Sequence, residues 1–177
     1  AGSLCLLDTP LAWQIREELL EDAKFMINFC IAKSLDGLSS EQAWRIREEL
    51  LKGANDNLKR AIAKSLAGLD SERAWKMREE LLKGANEDLK QSIAQSLTGL
   101  DSEQAWKMRE ELLKDTNIFL KGLIAQSLTG LDSERAWKMR EELLKDTNIF
   151  IKQSIAQSLA GLNSERAWKM REELLKG

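Results

Sequence analysis

Six times in this chain an arginine is followed directly by two glutamates: Arg16-Glu17-Glu18, Arg47-Glu48-Glu49, Arg78-Glu79-Glu80, Arg109-Glu110-Glu111, Arg140-Glu141-Glu142 and Arg171-Glu172-Glu173. Paired carboxylates are the equipment of general acid-base catalysis, and a guanidinium can grip an anion through two parallel hydrogen bonds. The repetition argues against catalysis. An active site needs two carboxyl groups driven apart in acidity by different surroundings, whereas six identical pairs read as a solvated face with structural ion pairs. Histidine and tyrosine are absent, which removes the commonest proton shuttle near neutral pH and the commonest metal ligand. No phosphate-cradling loop, metal-ligand spacing or nucleophile with a base stands in the chain. The expectation is no enzyme: no catalytic residues, no metal and no cofactor.

The arginines are held in place by a repeated frame. Trp13, Trp44, Trp75, Trp106, Trp137 and Trp168 are spaced 31 residues apart and are all the tryptophans of the chain. Around each lies the same phrase, Ala-Trp-x-Ile/Met-Arg-Glu-Glu-Leu-Leu. A period of this size marks a tandem array of small modules. In the copy from Asp70 to Leu100, Asp70 and Ser71 are acceptors suited to cap a helix start, and Glu72 lies where the helix dipole favours an anion. Pro10 occupies that step in the first copy, a position where a missing N–H costs nothing. Gly84 closes this helix A, Asn86 caps a helix B, and Gly99 with Leu100 suits its left-handed end. Two helices of about 13 residues joined by two or three form an αα-hairpin that is marginal alone. Stacking on neighbours must stabilise it.

In helix A, Ala43, Trp44, Ile46, Leu50 and Leu51 share one broad arc, and in helix B, Leu58, Ile62, Leu66 and Leu69 form a narrower stripe. The tryptophans are therefore expected in the core, each indole N–H bonded to a carbonyl or carboxylate of the next hairpin. The arginines fall on the same arc and need partners. The candidates are the glutamate pairs, the capping Asp70, or carbonyls ending a helix B. No run alternates with period two, so no strand is expected. The expected organisation is all-α over 1–177: a helix B remnant at 1–7, hairpins at 8–38, 39–69, 70–100, 101–131 and 132–162, and a terminal helix A at 163–177.

The 27 basic residues against 29 acidic give a net charge of -2, so no basic excess exists to neutralise nucleic-acid phosphates. The longest apolar runs are far below the roughly 20 residues of a membrane span, and no export signal opens the chain. Cys5 and Cys30 have no counterparts in the other copies and do not form a disulfide framework. Free thiols and a missing export signal together indicate the cytoplasm.

The phrases Asp-Ser-Glu-Arg-Ala-Trp, Leu-Leu-Lys, Asn-x-x-Leu-Lys and Ile-Ala-x-Ser-Leu-x-Gly-Leu resemble the short HEAT-like α-helical repeats, over nearly the whole chain. The resemblance implies a right-handed α-solenoid of stacked hairpins whose B helices line a concave surface that usually binds other proteins. Where that family often carries Asp and Arg, this chain has Asn55 and Lys59. Near-identical copies fit recent duplication and consensus design alike.

Helix A barely changes between copies, while four positions at the start of helix B do. They read Phe25, Met26, Phe29 and Cys30, then Asp56, Asn57, Arg60 and Ala61, then Glu87, Asp88, Gln91 and Ser92. The last copies have Ile118, Phe119, Gly122 and Leu123, then Ile149, Phe150, Gln153 and Ser154. These positions project mainly opposite Leu58, Ile62 and Leu66, off the common core. Apolar side chains there mark an interface or fill gaps between adjacent B helices. The expected partner-binding set is Phe25, Met26, Phe29, Asp56, Asn57, Arg60, Glu87, Asp88, Gln91, Ile118, Phe119, Leu123, Ile149, Phe150 and Gln153. The expected role is a protein- or peptide-binding scaffold. The alternatives are a structural subunit stacking head to tail through ends that no polar substitution seals, and part of an enzyme whose catalytic part lies elsewhere.

Overall fold

The computed structural model describes residues 7–21 and 25–176, without the side chains of Glu21 and Phe25. The expected helix B remnant and Cys5 thus lie almost wholly outside the described residues. Eleven helices and no strand occur among those described: α1 (Pro10–Glu21), α2 (Phe25–Ser34), α3 (Glu41–Leu51), α4 (Asp56–Ser65), α5 (Glu72–Leu82), α6 (Glu87–Ser96), α7 (Glu103–Leu113), α8 (Ile118–Ser127), α9 (Glu134–Leu144), α10 (Ile149–Ser158) and α11 (Glu165–Lys176). Odd-numbered helices are the expected helix A and even-numbered ones helix B. None is long and apolar enough to cross a membrane.

The α-helices are shorter than expected, ten residues in α4 and eleven in α5. The last turn of each helix B tightens instead of continuing: Leu66 and Ala67 donate to Ala63 and Lys64, three residues back. Such bonds occupy carbonyls that a helix end leaves unpaired. Gly68 then takes a φ of 72°, where a Cβ would strain the backbone. At the starts, Ser71 Oγ accepts from Ala74 N–H and Asn86 Oδ1 accepts from Leu89 N–H. The neighbouring Asp70 has a different task, described below.

The chain divides into two compact units, residues 1–96 and 97–177. In the first, α2 packs on α1, α3 and α4, and α4 packs on α3, α5 and α6. Small buried residues at the contact, including Ala61, Ala63, Ser92 and Ala94, let even-numbered helices lie directly against each other. The core holds Trp44, Leu50, Ile62, Leu66, Trp75 and Leu81. In the second, α8 packs on α7, α9 and α10, and α10 packs on α9 and α11. Trp137, Leu143, Ile151, Ile155, Leu159 and Met170 join in one cluster there. Each fully buried Leu or Ile contributes ~1.5–3 kcal/mol, which ten-residue helices need.

Candidate functional site

The arginines come first, because their geometry decides whether they can act on a ligand. Arg47 is completely buried, and no carboxylate among the described residues pairs with it. Its Nε donates to Ser65 Oγ at 2.9 Å, and its Nη2 donates to the carbonyls of Ser65 (2.9 Å) and Leu35 (2.6 Å). Nη1 donates to the carbonyl of Leu38 at 2.8 Å. Ser65 Oγ in turn donates to the Ile62 carbonyl. These acceptors lie at the C-terminal ends of α2 and α4, where the helix dipoles are negative, so two helix ends share one cation. Burial pushes the Arg47 pKa down to about 10, with Asp36 opposing and Arg78 reinforcing the shift, and the group stays charged at neutral pH. Arg16, Arg78 and Arg140 repeat the arrangement, and Arg109 keeps its bonds to Ser127 and Leu97. Of the three candidate partners, the helix B carbonyls are correct. An anion could not reach these sites without displacing them.

The glutamate pairs are exposed. Arg73 bridges Glu41 (2.8 Å) and Glu48 (2.9 Å), Arg166 bridges Glu134 (2.7 Å) and Glu141 (2.8 Å), and Glu49 meets Lys52 at 2.7 Å. In water such pairs contribute ~0–1 kcal/mol each.

Each tryptophan ring carries an arginine on its face: the Arg78 guanidinium carbon is 4.4 Å from the Trp75 ring centre. The indole acceptor differs from expectation. Trp75 Nε1 donates to Asp70 Oδ1 at 2.8 Å, five residues back in the same hairpin, and Trp13, Trp106 and Trp137 use Asp8, Asp101 and Asp132 in the same way. Trp44 has Ser39 in place of that aspartate and donates to its carbonyl at 3.1 Å. Five tryptophans are buried as expected, but Trp168 is 57% exposed.

The variable positions divide by depth. In the first unit Met26 is 65% exposed, Asp56, Asn57, Glu87 and Asp88 are exposed, and Phe29, Arg60 and Gln91 are half-buried. The Phe25 side chain lies outside the described residues. Asn86 donates to Asp56 at 2.8 Å, and Arg60 pairs with Asp88 at 3.1 Å, so part of this polar set stitches α4 to α6. A groove of about 450 Å³ runs between α2 and α4, lined by Met26, Phe29, Lys33, Asp36, Asn57, Arg60 and Lys64. Lys33, Asp36 and Lys64 were not singled out from the sequence. Lys33 stands four residues after Phe29 and shares its helical face, which is the signal that could have found it, whereas Asp36 lies in the turn beyond α2.

In the second unit Ile118, Phe119 and Ile149 are exposed at 42%, 61% and 67%. Phe150 is half-buried, and Phe119 meets it edge to face with ring centres 5.3 Å apart. A Cβ on Gly122 would come within 2.3 Å of the Phe150 ring, so this glycine makes room for the aromatic side chain of α10. Leu123 is half-buried and Gln153 exposed.

One expectation is corrected here. The fourth variable position is not off the core: Ala61, Ser92 and Ser154 are 3%, 2% and 1% exposed. The reason is the close packing of even-numbered helices, which covers a flank that a single hairpin leaves open. Phe150 likewise fills an inter-helix gap, while Met26, Phe119 and Ile149 remain outside.

No protein-family model matches the chain, and no curated protein matches it either.

Proposed function

We propose that this chain is a non-enzymatic binding scaffold, a HEAT-like right-handed α-solenoid of 31-residue hairpins that takes a protein or peptide partner on its even-numbered helices. The observation that carries this reading is the exposure of Met26, Ile118, Phe119 and Ile149 above a core that is already filled. Large apolar side chains left this exposed lose little by being there only if something covers them. Burial against a partner contributes ~1.5–3 kcal/mol for each, and such patches commonly mark interaction sites. Around Met26 the groove combines apolar walls with charged residues of both signs, Lys33, Asp36, Arg60 and Lys64, which suits a peptide of mixed polarity.

The scaffold role also fits the constancy of the rest. Arginine, serine, tryptophan and aspartate are absorbed by internal bonds, so helix A offers a partner little that is distinctive. The test is affinity selection from a peptide library on the wild-type chain, followed by calorimetry of the selected peptides on the Phe119→Ser/Ile149→Ser and Met26→Ser variants. Both variants alter exposed side chains and should keep the helical circular-dichroism signal. The expected result is loss of binding by at least one variant; undiminished binding by both would reject the even-helix face.

A further inference from the structure

We infer that the groove between α2 and α4 takes an extended peptide segment patterned apolar-x-acidic, its apolar side chain against Met26 and Phe29 and its carboxylate between Lys33 and Lys64. The inference rests on the reading of the even-numbered helices as a peptide-binding face and names what one part of that face recognises. Both walls of the groove, about 450 Å³ in volume, belong to helices that pack on each other.

In the second unit, α8 and α10 meet through glutamines 31 residues apart: Gln126 Nε2 donates to Gln157 Oε1 at 2.9 Å and to Ser154 Oγ at 3.4 Å. An amide both donates and accepts, so this pair closes on itself. The equivalent residues on α2 and α4 are Lys33 and Lys64, which line the groove, bear like charge and can only donate. Helix dipoles favour a lysine in each last turn, yet Gln95, Gln126 and Gln157 stand there in α6, α8 and α10. The helices do not need the charge. A carboxylate between the two ammonium groups supplies the acceptor that the glutamine pair supplies for itself.

Phe29 and Lys33 fix the spacing. They lie one turn apart on α2, about 6 Å along its axis, and the Lys33 ammonium is 5.7 Å from the centre of the Phe29 ring. Alternate residues of an extended segment stand about 7 Å apart on one face, so the acidic residue falls two places from the apolar one. Charge fixes the number of carboxylates. Three cations, Lys33, Arg60 and Lys64, line the groove with Asp36, and Arg60 is paired with Asp88 at 3.1 Å. Three cations against two carboxylates leave a surplus of one positive charge. Asp36, in the turn beyond α2, repels a carboxylate placed two residues further along the segment.

The test is a nuclear magnetic resonance titration of the full chain with acetyl-Phe-Ser-Glu-Ser-Ser-amide and with the reversed sequence, following the amide resonances of α2 and α4. One of the two should bind saturably at millimolar concentration. In that direction, the peptide with glutamine for glutamate should bind several-fold more weakly, and the one with its glutamate moved two places from the phenylalanine side, opposite Asp36, about tenfold more weakly. Lys64→Gln, an exposed position where three other copies hold glutamine, should keep the fold and abolish the preference for glutamate over glutamine. Phe119→Ser should change neither. No saturable binding, equal binding of the glutamate and glutamine peptides, or a preference undiminished by Lys64→Gln overturns the inference. So do shifts of the same resonances with concentration of the chain alone, since a second copy then fills the groove. In each case the even-helix face itself still stands if library peptides lose affinity for the Phe119→Ser/Ile149→Ser variant.

Discussion

Arg47 and Ser65 stand eighteen residues apart, on consecutive helices, yet the Arg47 Nε donates to the Ser65 hydroxyl at 2.9 Å in full burial. The same serine's carbonyl accepts from Arg47 Nη2 and from Gly37 N–H at 3.3 Å. One residue pair thus ties the end of α2, the middle of α3 and the end of α4. No salt bridge is involved; the charge is solvated by carbonyls that two helix ends leave unpaired.

Arg47→Ala should therefore be among the most damaging single changes, lowering stability by ~3–5 kcal/mol through a cavity and several orphaned carbonyls. Ser65→Ala removes one acceptor of a buried cation and should cost ~1–3 kcal/mol. Arg47→Lys should not rescue, because an ammonium cannot reproduce the planar fork. Urea unfolding followed by circular dichroism measures all three, and a lysine variant as stable as wild type would contradict the carbonyl clasp.

The Trp75–Asp70 bond separates packing from hydrogen bonding. Asp70→Ala should cost ~1–2 kcal/mol, because the buried indole N–H loses its acceptor, while Trp75→Ala should cost ~3–5 kcal/mol. At Trp44 the backbone carbonyl of Ser39 accepts instead, and position 70 carries that carbonyl whatever its side chain, so Asp70→Ser should lose about as much as Asp70→Ala. The three unfolding midpoints, ranked, decide it: an alanine variant at position 70 as damaging as Trp75→Ala would count against this separation.

Gly122 predicts a change of sign. In a helix, glycine to alanine normally stabilises by ~0.5–1 kcal/mol, but here the new Cβ meets the Phe150 ring at 2.3 Å. Gly122→Ala should be neutral to destabilising by ~1–3 kcal/mol in the wild type. Combined with Phe150→Ala it should become stabilising. A double-mutant cycle that finds the two changes additive would remove the proposed contact.

Stability should be flat between about pH 5.5 and 8, because no histidine titrates there. The carboxyls of Glu103 and Glu134 are held below their ordinary 4.5 by Arg135 and Arg166, and that of Asp146 is lowered by the Asn148 N–H and then by Lys121. A carboxyl whose folded pKa is depressed adds stability above its unfolded value and loses it as pH falls through the folded one. Thermal unfolding should therefore weaken below about pH 4.5, modestly, since these groups are exposed. A step near pH 6.5 would be incompatible with this account.

Sequence alone determined the helices, because their signals are local: Ser71 and Asn86 cap the starts, glycines of positive φ follow the ends, and the apolar spacing selects Ile62 and Leu66 for burial. It also located the variable face at Met26, Phe119 and Ile149, since a side chain's direction on one helix follows from its register. Only the tertiary structure decided what adjacent helices do to one another. The acceptors of Arg47 lie nine, twelve and eighteen residues away, and several candidates were chemically equivalent until packing brought two helix ends together. The burial of Ala61 and Ser92 and the fit of Phe150 over Gly122 belong to the same class. Each depends on the distance between two helices, which no period along one of them encodes.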